Sequence, residues 1–239
     1  MKVLSIDWDY FIDATAVQRF SMFPDGGNEN VPYYLRDIIW ASHYNGELEK
    51  IGIKEKDLEI AKDLIAHNFD SIMIADSHKH IYEFIEENYL GDCIDVTNID
   101  FHHDLYGINN IGRQEVDCGN WMVKLFDEYD CIYTWINQSD SDKSVDNDEF
   151  CQINEINIEK IKNEKFDLLY ICKSSIWSPP HLDKYFIDAF SPLIHQDKIE
   201  VKYETTVFDD RYNKEFLKMV HQNQEYMKQT KEKIQNIDR

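Results

Sequence analysis

The 239-residue chain reads as an α/β protein, three layers of α/β/α around a mostly parallel sheet. Three observations predict this. Short apolar, β-prone runs recur along the chain, and stretches of helical spacing separate them. Strands that alternate with helices form parallel sheets covered on both faces. No repeat and no long linker interrupts the rhythm, so residues 1–239 read as one domain, long enough for a full core.

The first element is Lys2 to Ile6, a buried strand that runs out at Asp7. Residues 24–30, PDGGNEN, form a polar loop with adjacent glycines, the kind of segment that serves as a lid or substrate loop. Helical spacing covers Tyr33 to His43. It returns over Glu55 to His67, where Leu58, Ala61, Leu64 and Ile65 share a face. Ser71 to Ala75 is a strand closed by Asp76-Ser77-His78, and Ile81 to Tyr89 is the next helix. Cys93 to Phe101 is a strand leading into His102; Trp121 to Phe126 is helical, and Cys131 to Ile136 is again a strand. A hydrophilic connection fills 137–149. Phe166 to Cys172 is a buried strand followed by a loop, Ser174 to Pro180, and Glu200 to Phe208 is a last strand at a sheet edge. From about residue 212 a charged helix carries Phe216, Val220 and Met227 along one face, the rest solvated.

Composition narrows the function. The net charge of −21 argues against general nucleic-acid binding, since phosphates would be repelled. It suits divalent metals or a cationic substrate, although solubility alone also explains an acidic surface. The five cysteines are irregularly spaced, without a CxxC pair, as expected of reduced thiols in a cytoplasmic protein. The N-terminal MKVLSIDWDYF turns acidic by Asp7, which leaves no room for a signal-peptide core, and no apolar run reaches membrane-span length.

Chemistry concentrates where strands run out. In open parallel sheets ligands gather beyond the carboxyl ends of the strands. Asp7 and Asp9, His78, and Asp100, His102 and Asp104 all stand there. Taken as extended segments, Ser5-Ile-Asp7-Trp-Asp9 and Asp100-Phe-His102-His-Asp104 point alternate residues the same way, toward one cavity. The same alternation turns His103 away. Four carboxylates so placed repel one another unless cations lie between them. Two divalent ions answer that need, and mixed carboxylate and imidazole donors suit manganese or zinc, with the carboxylate majority leaning to manganese. Taken singly, each motif also has an ordinary reading as a turn or a helix cap.

Asp100-Phe-His102-His-Asp104 resembles the DxHxD signature of the arginase and ureohydrolase superfamily. Ser5-Ile-Asp7-Trp-Asp9 resembles its SxDxD motif, Ala75-Asp76-Ser77-His78 its Gly-Gly-Asp-His segment, and Cys118-Gly119-Asn120-Trp121 its Gly-Asn segment beside the substrate. The order departs from ordinary arginases, because SxDxD opens the chain. In this the sequence is similar to the arginase-like proteins that include peptide arginases. The resemblance implies an arginase-like fold with two Mn²⁺ per chain: Asp7 and Asp100 bridge the ions, His78 and Asp104 complete one site, and His102 and Asp9 the other. It implies hydrolysis of arginine within a precursor peptide to ornithine and urea, with Asp9 moving a proton and Asn120 near the substrate. Met122 stands where that family has a proton-shuttling histidine, leaving His103, His80 or solvent for that task. Glu29 is the candidate for the guanidinium-binding carboxylate, and His80 is an alternative to His78.

Two other readings use the same residues. Asp7-Trp-Asp9 after a strand also resembles phosphatases of the haloacid dehalogenase type, with Asp7 as nucleophile, Asp9 as acid, Asp209-Asp210 on magnesium and Lys173 on phosphate. A peptide-binding module without turnover would fit the missing histidine. Trp8, Tyr10, Trp121 and Trp177 either line a peptide groove or, more commonly for such residues, build the core.

Overall fold

Seven strands form one sheet in the computed structural model, which describes residues 1–24, 31–91, 93–107, 115–142, 152–155, 157–195 and 201–237. They are β1 (Lys2–Asp7), β4 (Ser71–Ala75), β5 (Ile94–Ile99), β6 (Cys131–Ile136), β7 (Gln152–Glu155), β8 (Leu168–Cys172) and β9 (Val201–Tyr203). Their order is β7-β6-β5-β1-β8-β4-β9, and every neighbouring pair is parallel. Two short strands, β2 (Ile12–Asp13) and β3 (Gly52–Ile53), pair separately and antiparallel.

The helices are α1 (Ala16–Met22), α2 (Tyr33–His43), α3 (Glu55–Ile65), α4 (His80–Asn88), α5 (Trp121–Glu128), α6 (Asp183–Phe190) and α7 (Lys214–Ile237). The pleat sends alternate strand residues to opposite faces, and β8 displays this directly. Leu169 and Ile171 join Leu4, Ile6, Ile72 and Ile74 beneath α3 and α6. Leu168 and Tyr170 join Val3 and Val96 beneath α4 and α5. Helices thus cover both faces of the sheet, the three-layer arrangement expected from the alternation. Each large side chain buried here contributes about 1.5–3 kcal/mol, and Trp8, Trp40, Trp121 and Trp135 are all inaccessible or nearly so.

The outer elements differ from expectation in understandable ways. The strand expected over Glu200 to Phe208 is only Val201–Tyr203, and a 3-10 turn occupies Thr205–Phe208. α6 went unforeseen because DKYFIDAF is rich in aromatic residues of middling helix propensity; it is held by Phe186 and Phe190, which pack edge-on against Trp8. Phe216 and Val220 of α7 are buried, whereas Met227 is 55 % exposed, because only the first part of that long helix is covered. Among the described residues no helix is long and apolar enough to cross a membrane.

Register positions the site. Asp7 pairs with Cys172, Cys172 pairs with Ala75, and Ile6 pairs with Ile99. The carboxyl ends of β1, β4, β5 and β8 therefore stop at one level, and the segments that follow them share one rim.

Candidate metal centre

Each site residue is delivered by a strand end, but not by extended chain. β1 stops at Asp7, whose Oδ1 accepts the Asp9 N–H at 2.9 Å and caps a 3-10 turn over Trp8–Phe11. After β5, Asp100 Oδ1 accepts the His102 N–H at 2.8 Å, and Asp104 adopts φ 53°. The expected period-two geometry is thus replaced by tight turns that aspartate favours, because its carboxylate accepts the N–H two residues on. The side chains converge nonetheless. A left-handed aspartate costs of order 1 kcal/mol, and Ser174 at the end of β8 adopts the same region with φ 48°. Strain of this kind is retained where the surroundings hold it in place.

At the centre stands the His78 ring. Its Nδ1 lies 3.3 Å from Asp7 Oδ2, 3.2 Å from Asp100 Oδ2 and 3.1 Å from Asp104 Oδ2. Its Nε2 lies 2.8 Å from Ser5 Oγ. His102 Nδ1 lies 3.0 Å from Asp9 Oδ2 and 3.9 Å from Asp100 Oδ1. Donor atoms of His78, Asp100 and Asp104 fall within 4.8 Å of one another, as do those of Asp9, Asp100 and His102. Asp100 belongs to both groups, and Asp7 faces His78 in a third group with Cys172.

Neighbours hold the carboxylates in place. Ser174 Oγ donates to Asp7 Oδ2 at 2.5 Å, Trp121 Nε1 to Asp104 Oδ2 at 2.6 Å, and Asn98 Nδ2 to Asp100 Oδ2 at 3.2 Å. From sequence, Trp121 is only a groove or core aromatic, and the other two are not singled out. Ser174 and Asn98 carry no motif. Trp121 sits in a quoted motif, but only the fold brings its indole to Asp104.

Asp7, Asp9, Asp100 and Asp104 are all at most 4 % exposed. Burial, and then the Asp104, Asp7 and Asp9 charges, push the Asp100 carboxyl well above its ordinary range. Burial and the Asp9 charge raise Asp7 to about 7. Burial opposes ionisation of Asp9 too, yet His102 and Arg19 hold it down at about 2. Burial would lower the His78 ring, but the Asp104 charge and its carboxylate neighbours lift it well above 6.5. Asp9 Oδ2 is buried and faces His102 Nδ1 at 3.0 Å and Arg19 Nη1 at 4.0 Å. Four buried carboxylates facing two imidazoles are costly unless further positive charge joins them. This donor set, hard oxygens with two imidazoles, fits divalent metal ions.

A cavity of about 180 Å³ opens onto these groups; it is lined by Asp7, His78, Asp100, His102 and Asp104, and by Tyr106, Gly119, Ser174 and Trp177 among others. The remaining sequence candidates stand elsewhere. Asn120 is buried at the start of α5, where its Nδ2 donates to Glu115 O and its Oδ1 accepts from Asp117 N–H. Glu29 lies outside the described residues. His80 faces Glu204 at 3.5 Å in a different cavity. His103 turns from the cavity lining, its Nδ1 accepting the Leu105 N–H and its ring 4.3 Å from that of Tyr106. Met122 is fully buried in the α4/α5 core. Lys173 lies 3.3 Å from Asp183 and donates to the Asp209 carbonyl; neither it nor Asp209 nor Asp210 lines the cavity. Trp8, Tyr10 and Trp121 are core residues, and Trp177 alone of the four aromatics lines the cavity. No family model, curated protein or solved structure compared with the chain matches it.

Proposed function

We propose that the protein is a manganese-dependent hydrolase of guanidinium groups, converting arginine within a peptide to ornithine with release of urea. The observation that carries this reading is the position of Asp100, shared between the His78–Asp104 and the Asp9–His102 donor groups. A carboxylate common to two donor sets is what a pair of ions would need between them, and Asp7, which faces His78 at 3.3 Å, would complete the set. Bound there, such ions act as Lewis acids and lower the pKa of water toward neutrality.

The chain's own groups do the rest. The acidic walls favour a planar cation, and the −21 net charge raises its local concentration. Trp177 and Tyr106 flank the cavity with apolar ring surface for the aliphatic part of an arginine side chain. Water adds its oxygen to the guanidinium carbon, and its proton passes to the Asp9 carboxylate, which His102 faces at 3.0 Å. Cleavage of the bond between that carbon and the side-chain nitrogen then returns the proton to the departing amine. Ornithine stays in the peptide and urea leaves. Against the phosphatase reading stands Lys173, whose ammonium is occupied by Asp183.

Mass spectrometry of an arginine-containing peptide incubated with protein and manganese tests the proposal. A product lighter by one cyanamide unit, with urea in solution, is the expected result. Unchanged mass for peptides and free arginine alike would overturn it.

A further inference from the structure

Beside the metal cavity lies a second one of about 170 Å³, and the two share His102 and Trp177 as a common wall. Its other lining is Arg19, Phe20, Phe23, Pro24 and Phe101. Four of these five are apolar, in a chain whose net charge is −21. Phe23 and Phe101 are buried at the back, whereas Phe20 on α1 is 88 % exposed. Phe20 lines the hollow together with Phe23, Pro24 and Phe101, so its exposed ring belongs to a contiguous apolar patch and is not a lone surface residue.

Arg19 adds a polar cue. Its side chain is 9 % exposed, and its guanidinium lies 4.0 Å from the centre of the Phe101 ring. Nη2 donates to the carbonyls of Asp9 and Ile12. Nε is buried without a hydrogen-bond partner. Arg19 lines the hollow, so its guanidinium is the cationic group there, a donor suited to an acceptor such as a peptide carbonyl.

We infer that this hollow is a specificity subsite, taking a bulky apolar side chain that lies within two residues of the target arginine. The inference takes the metal cavity as the entry point for arginine, as proposed above. Size supports a single side chain, because whole small-molecule sites begin at roughly 300 Å³. The shared wall supports a neighbour in the same chain, since residues two apart on an extended peptide point the same way about 7 Å apart. The acidic rim around the metals supplies the complementary half, one cationic and one apolar anchor per peptide.

The test uses manganese-loaded full-length protein and short labelled peptides with one arginine in an alanine background. Phe, Leu or Asp is placed in turn at each of the two positions before and after the arginine. Dissociation constants come from fluorescence anisotropy, and ornithine formation is followed in parallel by mass spectrometry. At one position Phe should bind at least about tenfold tighter than Asp, the scale of one buried side chain. Phe20→Ser should erase most of that preference; Phe20 is so exposed that its replacement spares the core. Equal affinities at all four positions, or a Phe preference unchanged by Phe20→Ser, would overturn the subsite even if ornithine forms. A Phe preference that Phe20→Ser erases, without any ornithine, would uphold the subsite and overturn the hydrolase reading instead.

Discussion

Ser5 Oγ stands 2.8 Å from His78 Nε2, on the side of the ring opposite the carboxylates of Asp7, Asp100 and Asp104. With Nε2–H donated to the serine, the imidazole presents a lone pair at Nδ1, the state a metal requires. Partners of this kind fix ring tautomer and orientation, and their loss costs about 10–100-fold in metal affinity. Ser5→Ala should therefore lower manganese affinity by that factor while leaving β1 intact. Metal titration checks it. An unchanged dissociation constant would mean that the contact does not set the ring.

The metal-free protein should respond to pH in a defined sense. Asp7 is raised from 3.8 to about 7 by burial and the Asp9 charge, so between those values the folded state keeps a proton that the unfolded chain has lost. Stability from this group therefore falls as pH rises through that window. His78, held well above 6.5 by its carboxylate neighbours despite burial, has the same sign: its contribution is complete below 6.5 and fades as pH passes its folded value. Asp7→Asn removes the first part. Thermal melts of metal-free protein should show the variant gaining on wild type from about pH 4 to pH 7; a margin that narrows instead contradicts the assignment.

A buried ion network supports the site from behind. Arg211 Nε and Nη2 grip Asp183, and Lys173 lies 3.3 Å from the same carboxylate. Arg211 also donates to the carbonyls of Ser175 and Ser178, which pins the loop bearing Ser174 and Trp177. Asp183→Ala would strand two buried cations, a loss of about 3–5 kcal/mol. Urea unfolding measures this, and a change too small to resolve would show the network to be dispensable.

Gly119 sets the shape of the cavity wall. A Cβ there would stand 2.8 Å from Cδ2 of Tyr106, closer than atoms tolerate. Tyr106 lines the candidate metal cavity and is 46 % exposed, so it can swing aside. Gly119→Ala should cost about 1 kcal/mol in stability, the low end for overpacking, and should change peptide affinity more than metal affinity. Equal losses in both would place Tyr106 in the support of the metals rather than the substrate.

The sheet was legible because its strands are apolar runs of the right length, and Ser71–Ala75 and Cys131–Ile136 match their expected bounds. The rim followed from strand ends: all six candidate ligands meet there. What escaped was local or long-range. The 3-10 turn after Asp7 and the left-handed Asp104 depend on side-chain acceptance of backbone N–H groups, which no periodicity reports. Ser174, Trp121 and Asn98 reach the carboxylates across 167, 17 and 2 residues of sequence. Only strand order and register join the first two, and Asn98 sits within a strand where it reads as ordinary. α1, which carries Arg19 and Phe20, has no buried residue to mark a face in its sequence.

The most direct test of a paired-metal centre is manganese content by plasma mass spectrometry after reconstitution and desalting, for wild type and Asp100→Asn. Two ions per chain in wild type, with both sites depleted by the single Asp100 substitution, is the result expected of a carboxylate shared between donor groups. Wild-type protein that retains no manganese, or an Asp100→Asn variant that retains both ions, would contradict it.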